Sequence, residues 1–250
     1  MKNRISIIAA ISIGIGGMIG AGIFSILGVV AQASGAAMWL SFLIGGVVAL
    51  FSTYSYAKLG AKFPSAGGAV EFLIKGWGSG TTSGGLNLFM WVGYVIAIAL
   101  YAQGFSSYAL TFFSVEASPV LTKAVAAGAV ILFTIINMLG AGDVGKAETF
   151  IVAVKVSILV VFAGAGLFFI EPSNLAPVHW NSTEYIFFGA GVLFIGYEGF
   201  GLITNAAGNM DNPSKSLPKA LYLAVFIVIL IYLAVSITVS GNLTDRKSVV

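Results

Sequence analysis

Two ionisable residues stand inside apolar runs long enough to cross a bilayer. Lys155 closes Phe150-Ile151-Val152-Ala153-Val154-Lys155, and Glu198 sits in Gly196-Tyr197-Glu198-Gly199-Phe200-Gly201. A charge at the centre of a membrane costs about 2.5–3.5 kcal/mol on the insertion scale, so such residues face protein or a wet cavity and have partners. An amine held there can take up and release a proton during a cycle. One elementary charge crossing 100 mV supplies about 2.3 kcal/mol, or roughly 40-fold accumulation at about 1.4 kcal/mol per tenfold. The competing reading for Lys155 is snorkelling. It lies about nine residues into its run, roughly 13 Å at 1.5 Å per residue, within reach of a long stem.

The first apolar run carries Gly14-Ile15-Gly16-Gly17-Met18-Ile19-Gly20-Ala21-Gly22-Ile23-Phe24, with five glycines between Gly14 and Gly22. Each glycine costs a helix about 1 kcal/mol relative to alanine, which predicts an interruption near mid-membrane. Unwound backbone is tolerated at that depth only where protein covers it or it lines a cavity. Gly196, Gly199 and Gly201 predict a second interruption, against the plainer reading of close helix packing through small residues. Paired breaks of this kind mark transporter sites. Half-helix N-termini offer N–H groups to a carboxylate. Carbonyls at half-helix C-termini suit an ammonium or a small cation. A zwitterionic α-amino acid satisfies both ends.

The elements that must position these residues are membrane helices. The chain has 250 residues, 58% hydrophobic and only 8% charged, where soluble domains carry roughly 25%. Seven spans of about 20 residues are expected at 5–33, 37–59, 82–113, 120–140, 147–170, 184–207 and 217–240, all in one membrane domain over 1–250. A short amphipathic piece, 69–75, follows Pro64-Ser65-Ala66-Gly67-Gly68. The N-terminal run is far longer than a signal-peptide core of about 7–15 residues and reads as a retained helix. With a cytoplasmic N-terminus, Lys2, Arg4, Lys58, Lys62, Lys75, Lys146, Lys215 and Lys219 lie inside. Lys123, Arg246 and Lys247 lie outside. The excess of inside cations fits the positive-inside rule for a multi-pass cell-membrane protein.

Other chemistries find little support. There is no cysteine and one histidine, His179, so disulfides are excluded and a metal site is not expected. No nucleophile–base or carboxylate pair suggests an enzyme, no cofactor is expected, and the +3 net charge has its topological explanation rather than a nucleic-acid partner. Asn181-Ser182-Thr183 and Asn242-Leu243-Thr244 match the glycosylation sequon. Asp211-Asn212-Pro213-Ser214-Lys215-Ser216-Leu217-Pro218-Lys219 reads as a turn, with Pro218 suited to the first turn of the next helix.

Taken together, these segments resemble the amino acid–polyamine–organocation (APC) superfamily of permeases. Met18-Ile19-Gly20-Ala21-Gly22-Ile23-Phe24 resembles its broken first helix. The stretch from Gly196 to Asn205, with Asp211-Asn212-Pro213 and Leu217-Pro218, resembles its sixth helix and following loop. Phe150–Lys155 is similar to the fifth helix of a proton-coupled archaeal amino acid transporter of that superfamily. The resemblance implies an all-α, leucine-transporter-like fold of inverted five-helix repeats, with the first repeat over 5–170 and two helices of the second over 184–240. It implies a substrate carboxylate at the N–H groups of Gly20, Ala21 and Gly22, and a substrate ammonium near carbonyls of Ile195, Gly196 and Glu198 and of Met18 or Ile19, with Tyr197 inside the same segment. It implies that Lys155 approaches the Gly16 carbonyl and couples protons to amino acid symport.

The chain departs from that pattern in several places. Gly208-Asn209 stands where an acidic residue is common, which removes an inner-gate ion pair, and Gly22 stands where some members have serine. Glu198 would favour a cationic substrate or pair with Lys155. Only two helices of the second repeat follow the first, so a truncated half that needs a second chain is an alternative. A seven-helix receptor or sensor predicts continuous helices instead.

Overall fold

The computed structural model describes residues 5–113, 118–138 and 144–242; Lys2, Arg4, Arg246, Lys247 and part of the second sequon lie outside these. The described residues form helices without strands, and six helices are long and apolar enough to cross a membrane. The predicted first span supplies none of the six, because it is divided into three pieces. These are α1 (Ile7–Met18), α2 (Ala21–Phe24) and α3 (Leu27–Ser34). Ser6 caps α1 by accepting the Ala9 N–H at 3.1 Å, a service to the orphan donors of a first turn.

The next elements are α4 (Met38–Lys62), the short α5 (Ala69–Trp77), α6 (Thr81–Phe112), α7 (Pro119–Met138) and α8 (Val144–Leu167). Two 3₁₀ turns at Pro172–Leu175 and Pro177–His179 lead into α9 (Thr183–Tyr197), and a 3₁₀ turn over Glu198–Phe200 continues it into α10 (Gly201–Asn205). α11 (Pro213–Asn242) ends the described chain. Over the described residues each expected span is mainly helical, the first of them in three pieces. The Asp211–Lys219 stretch departs from expectation, because α11 begins at Pro213 rather than near Leu217. Asn212 adopts φ 47°, a left-handed value that asparagine tolerates. Its carbonyl accepts from Lys215 and Ser216 N–H at 2.9 and 3.0 Å, so Pro213 takes the first helical position and Pro218 lies inside the helix.

The chain divides into two compact units, one comprising 1–72 and 148–250 and the other 73–147. In the second, α6 packs along α7. An apolar groove of about 330 Å³ lies between them, walled by Tyr101, Phe105, Val130 and Phe133. In the first, α4 packs against both α9 and α11, and α11 against α1, around fully buried Met18, Ile19, Phe42, Leu193, Tyr197, Leu221 and Tyr232. Two serine hydroxyls join α3 and α4 to α9: Ser34 Oγ lies 2.7 Å from Ser41 Oγ, which donates to the Ile186 carbonyl at 2.9 Å. Gly189 permits that approach, because a Cβ there would stand 3.1 Å from Ser41 Oγ.

Candidate functional site at the break in the first span

The interruption predicted from the glycines falls at Ile19. Its φ −80° and ψ 75° are those of an inverse γ-turn, and the Gly20 N–H turns back to the Met18 carbonyl at 2.9 Å. In an unbroken helix that N–H would satisfy the carbonyl four residues earlier, at Gly16. The turn therefore leaves the Gly16 oxygen without its helical donor, in the interior of a membrane segment where an unmet carbonyl costs several kcal/mol. Lys155 on α8 meets it: Nζ donates to Gly16 O at 2.8 Å. When the amine is protonated this bond is charge-assisted, and such bonds are roughly twice as strong as neutral ones. The lysine side chain is half-buried and is directed at the first span.

A second carbonyl at the break, Met18 O, accepts from two donors. One is Gly20 N–H, and the other is the hydroxyl of Tyr232 on α11, at 2.6 Å. The same hydroxyl lies 3.5 Å from the Gly196 carbonyl, so it stands between the backbones of the first and sixth spans. Tyr232 is fully buried. Its ring is held edge-on to Phe42 at 5.4 Å and tilted against Tyr197 at 5.1 Å, and Tyr197 donates its own hydroxyl to the Phe42 carbonyl at 3.1 Å. The sequence reading did not single out Tyr232. The available signal was a tyrosine far from both ends of a strongly apolar span. Tyrosine is enriched at membrane interfaces, and a buried tyrosine hydroxyl needs a partner.

The sixth span does not unwind as predicted. Tyr197, Glu198, Phe200 and Gly201 all keep right-handed helical angles, and the helix only tightens to 3₁₀ over Glu198–Phe200. The Ile195 carbonyl accepts from Glu198 N–H, and the Glu198 and Gly199 carbonyls accept from Gly201 N–H. The glycines here serve approach rather than unwinding. A Cβ at Gly199 would collide with the Met18 nitrogen and the Gly17 carbonyl carbon and stand 2.9 Å from Gly17 Cα. A Cβ at Gly17 would in turn stand 2.7 Å from Leu202 Cδ1 and 3.1 Å from Gly199 Cα. Backbone thus meets backbone one residue before the break, which is the small-residue packing that competed with the unwinding reading.

The structure gathers Gly16, Met18, Ile19 and Gly20 of the first span, Gly196 and Tyr197 of the sixth, Lys155 and Tyr232 into one region. Ala21 and Gly22 open the four-residue α2. Ile195 and Glu198 are exposed on the flank of the sixth span. The sequon asparagines have their amide nitrogens engaged. Asn181 Nδ2 donates to the Gln32 and Ala33 carbonyls at 3.1 and 2.7 Å. Asn242 Nδ2 donates to the Gly166 and Thr238 carbonyls at 2.9 and 2.8 Å. No group of three or more potential metal ligands occurs among the described residues.

Comparison with known proteins places this geometry in context. The amino acid permease family model matches residues 9–248. An uncharacterized protein of Methanocaldococcus jannaschii is 40% identical over 97% of this chain and 56% of its own length. The inner membrane transport protein YbaT of Escherichia coli is 35% identical over 94% of this chain and 55% of its own. The methylthioribose transporter of Bacillus subtilis is 30% identical over 94% of this chain and 54% of its own. The chain spans about half the length of these curated relatives.

Proposed function

Because the chain belongs to the amino acid permease family, a family of multi-pass membrane transporters rather than of enzymes, we propose that it supplies the substrate site of a proton-coupled amino acid symporter. The observation that carries this reading is Lys155 Nζ on the Gly16 carbonyl at 2.8 Å. That contact joins the one lysine inside the fifth span to the carbonyl orphaned by the turn in the first. Deprotonation of Lys155 removes two of the charge-assisted bond's assets, the positive charge and the shortened contact. Gly16 O then competes for another donor, and the turn at Ile19 is free to rearrange. Proton binding and the shape of the site are coupled through one hydrogen bond.

The substrate carboxylate is assigned to the N–H groups of Gly20, Ala21 and Gly22, and its ammonium to carbonyls of Met18, Ile19, Ile195, Gly196 and Glu198. Gly20 N–H is spent on Met18 O in this structure, so a carboxylate must displace that weak γ-turn bond. The Tyr232 hydroxyl, between Met18 O and Gly196 O, occupies the place where an ammonium donor would bridge the two spans. Substrate binding would therefore exchange one bridge for another. The exposed Glu198 lends preference for a cationic side chain. The protein is assigned to the cell membrane with a cytoplasmic N-terminus, as one membrane domain.

The test is uptake of a mixture of labelled amino acids into proteoliposomes after a pH jump. The expected result is accumulation of a subset of amino acids when the outside is acidified, abolished by a protonophore. Uptake indifferent to the pH step would remove proton coupling. A second reading is favoured by the matched share of the relatives' length: the chain transports only beside a second chain that completes the fold. Uptake appearing on co-reconstitution with such a chain, and absent without it, would select that reading.

A further inference from the structure

The charged residues of α4 and α11 are four lysines and no others. Lys58 and Lys62 stand in the last two turns of α4, and Lys215 and Lys219 in the first two turns of α11. Neither helix contains an acidic residue, an arginine or a histidine. The two helices pack antiparallel, so both lysine pairs come to the same end. There Ser214 Oγ donates to the Ala61 carbonyl at 3.1 Å, and a Cβ at Gly60 would stand 2.5 Å from Leu217 Cδ2. Farther back along α4 and farther on along α11, a Cβ at Gly46 would stand 2.8 Å from Ile229 Cγ1. Asp211 and Glu71 are the carboxylates nearest to the two helices in sequence, and they leave this end net positive.

Each lysine pair heads an exposed stripe. On α4 the order from the end inward is Lys62, Lys58, Tyr54, Phe51 and Val47. On α11 it is Lys215, Lys219, Tyr222, Phe226 and Leu230. All of them are exposed, at steps of three and four that keep to one helix face. In both stripes the phenylalanine lies eleven residues from the outermost lysine, roughly 16 Å deeper at 1.5 Å per residue. Cation, then tyrosine, then apolar side chain is the order of a membrane interface. The lysine heads on α4 lie along aromatic rings, Lys58 Nζ at 5.6 Å from the Tyr54 centroid and Lys62 Nζ at 5.2 Å from the Phe63 centroid. The stripes also share a side. At about 100° per residue, each is set off by about 120–150° from the line of contact between the helices, in the same rotational sense along each chain. Because the helices are antiparallel, both stripes emerge on one side of the pair.

We propose that this face of α4 and α11 binds an anionic phospholipid. Its phosphodiester headgroup lies among Lys58, Lys62, Lys215 and Lys219, and its acyl chains lie along Phe51 and Phe226. The sign of the charge selects the lipid, because a zwitterionic headgroup brings its own cation to the lysines. A covering protein helix is the competing occupant. It would take four lysines out of water where neither helix supplies a counter-charge, and an uncompensated buried charge is costly. A headgroup phosphate instead meets the lysines at the depth their long stems reach. The site depends on α4 and α11 crossing the membrane and not on the transporter reading. With the N-terminus in the cytoplasm, the lipid belongs to the cytoplasmic leaflet, whose surface is negative.

The chain has no cysteine, so Ser55→Cys, exposed on α4 between Phe51 and Lys58, takes a single fluorophore. In vesicles, its quenching by brominated phosphatidylglycerol and brominated phosphatidylcholine reads the lipid beside it, with no transport required. Four lysines acting together predict a preference of about ten-fold for phosphatidylglycerol at low salt. Replacing all four by glutamine should bring it to about one, and replacing all four by arginine should keep it. Equal quenching by the two lipids, or a preference that survives the glutamine variant, would overturn the site. Quenching by neither lipid would mean that protein covers the face, and would overturn it too. A second measurement in maltoside micelles is independent of how the glutamine variant inserts. Phosphatidylglycerol should raise the melting temperature of the parent chain and leave that of the glutamine variant unchanged. An equal rise in the variant, or the same rise in the parent with soluble glycerol phosphate or with phosphatidylcholine, would overturn the anionic lipid.

Discussion

Gly199→Ala is the sharpest single test of how the two spans meet. A Cβ at Gly199 would overlap the Met18 nitrogen and the Gly17 carbonyl carbon, and would lie 2.9 Å from Gly17 Cα. Carbon atoms settle at about 3.5–4.0 Å, so the two backbones must part by roughly 1 Å. None of the colliding atoms belongs to a flexible side chain, so rotamer changes bring no relief. Overpacking of this kind costs about 1–3 kcal/mol, occasionally more, against a gain of up to about 1 kcal/mol from replacing glycine in a helical segment. The parting also acts on the site. Gly16 and Met18 flank the contact, and a displacement of about 1 Å would stretch Lys155–Gly16 and Tyr232–Met18 beyond hydrogen-bond range. The matched control is Gly191→Ala in α9, where nothing lies within 4 Å of the added Cβ and only the helix gain applies. In detergent, Gly199→Ala should unfold several degrees below Gly191→Ala, since about 1 kcal/mol corresponds to roughly 2–4 °C at this chain length. Its uptake should fall by at least ten-fold while the control is unaffected. Equal melting temperatures and equal uptake for the two variants would refute the backbone-to-backbone contact.

Three further outcomes follow from the geometry. Tyr232→Phe removes the hydroxyl shared between Met18 O and Gly196 O but keeps the ring stack. It should cost about 0.5–1.5 kcal/mol of stability in thermal unfolding, with a larger proportional change in substrate affinity than a control Tyr222→Phe on the same helix. Ser41→Ala leaves the Ile186 carbonyl and Ser34 hydroxyl without their shared partner, and should cost about 1–3 kcal/mol, read as a lowered melting temperature with the substrate profile unchanged. Asn181→Ala releases the Gln32 and Ala33 carbonyls together. It should raise hydrogen exchange at the α3–α4 turn while leaving the start of α1 unaltered.

Much of the architecture was legible because membrane spans are written in composition. The long apolar runs mark the helices, and the glycines from Gly14 to Gly22 mark the first span as interrupted. The position and form of the turn were not legible. Nothing in Met18-Ile19-Gly20 distinguishes an inverse γ-turn at Ile19 from other ways of ending α1, and the second interruption at Ser25–Ile26 carries no glycine at all. The sixth span was misread for a related reason. Glycine weakens a helix and also permits close approach, and sequence alone does not say which property is in use. At Gly199 the partner is Gly17, nearly two hundred positions away, and the contact is visible only once both helices are placed. Pro213 was read as part of a turn because Asn-Pro usually begins one; Asn212 instead adopts a left-handed conformation and lets the proline open α11. Lys155 was legible as an amine in the wrong solvent. Tyr232 escaped notice because an aromatic residue in an apolar run resembles core, and its hydroxyl gains meaning only from the carbonyl that the break exposes.

In the proposed cycle, Lys155 is the link between proton binding and the broken first span. Its most direct measurement compares the parent chain and Lys155→Gln in proteoliposomes, scoring amino acid exchange at equal pH beside accumulation driven by an acid-outside pH step. Glutamine keeps a neutral N–H donor for Gly16 O and removes the titrating amine. Lys155→Gln is expected to retain exchange within several-fold of the parent chain and to lose pH-driven accumulation altogether. Accumulation by Lys155→Gln that follows the pH step as the parent chain does would contradict it.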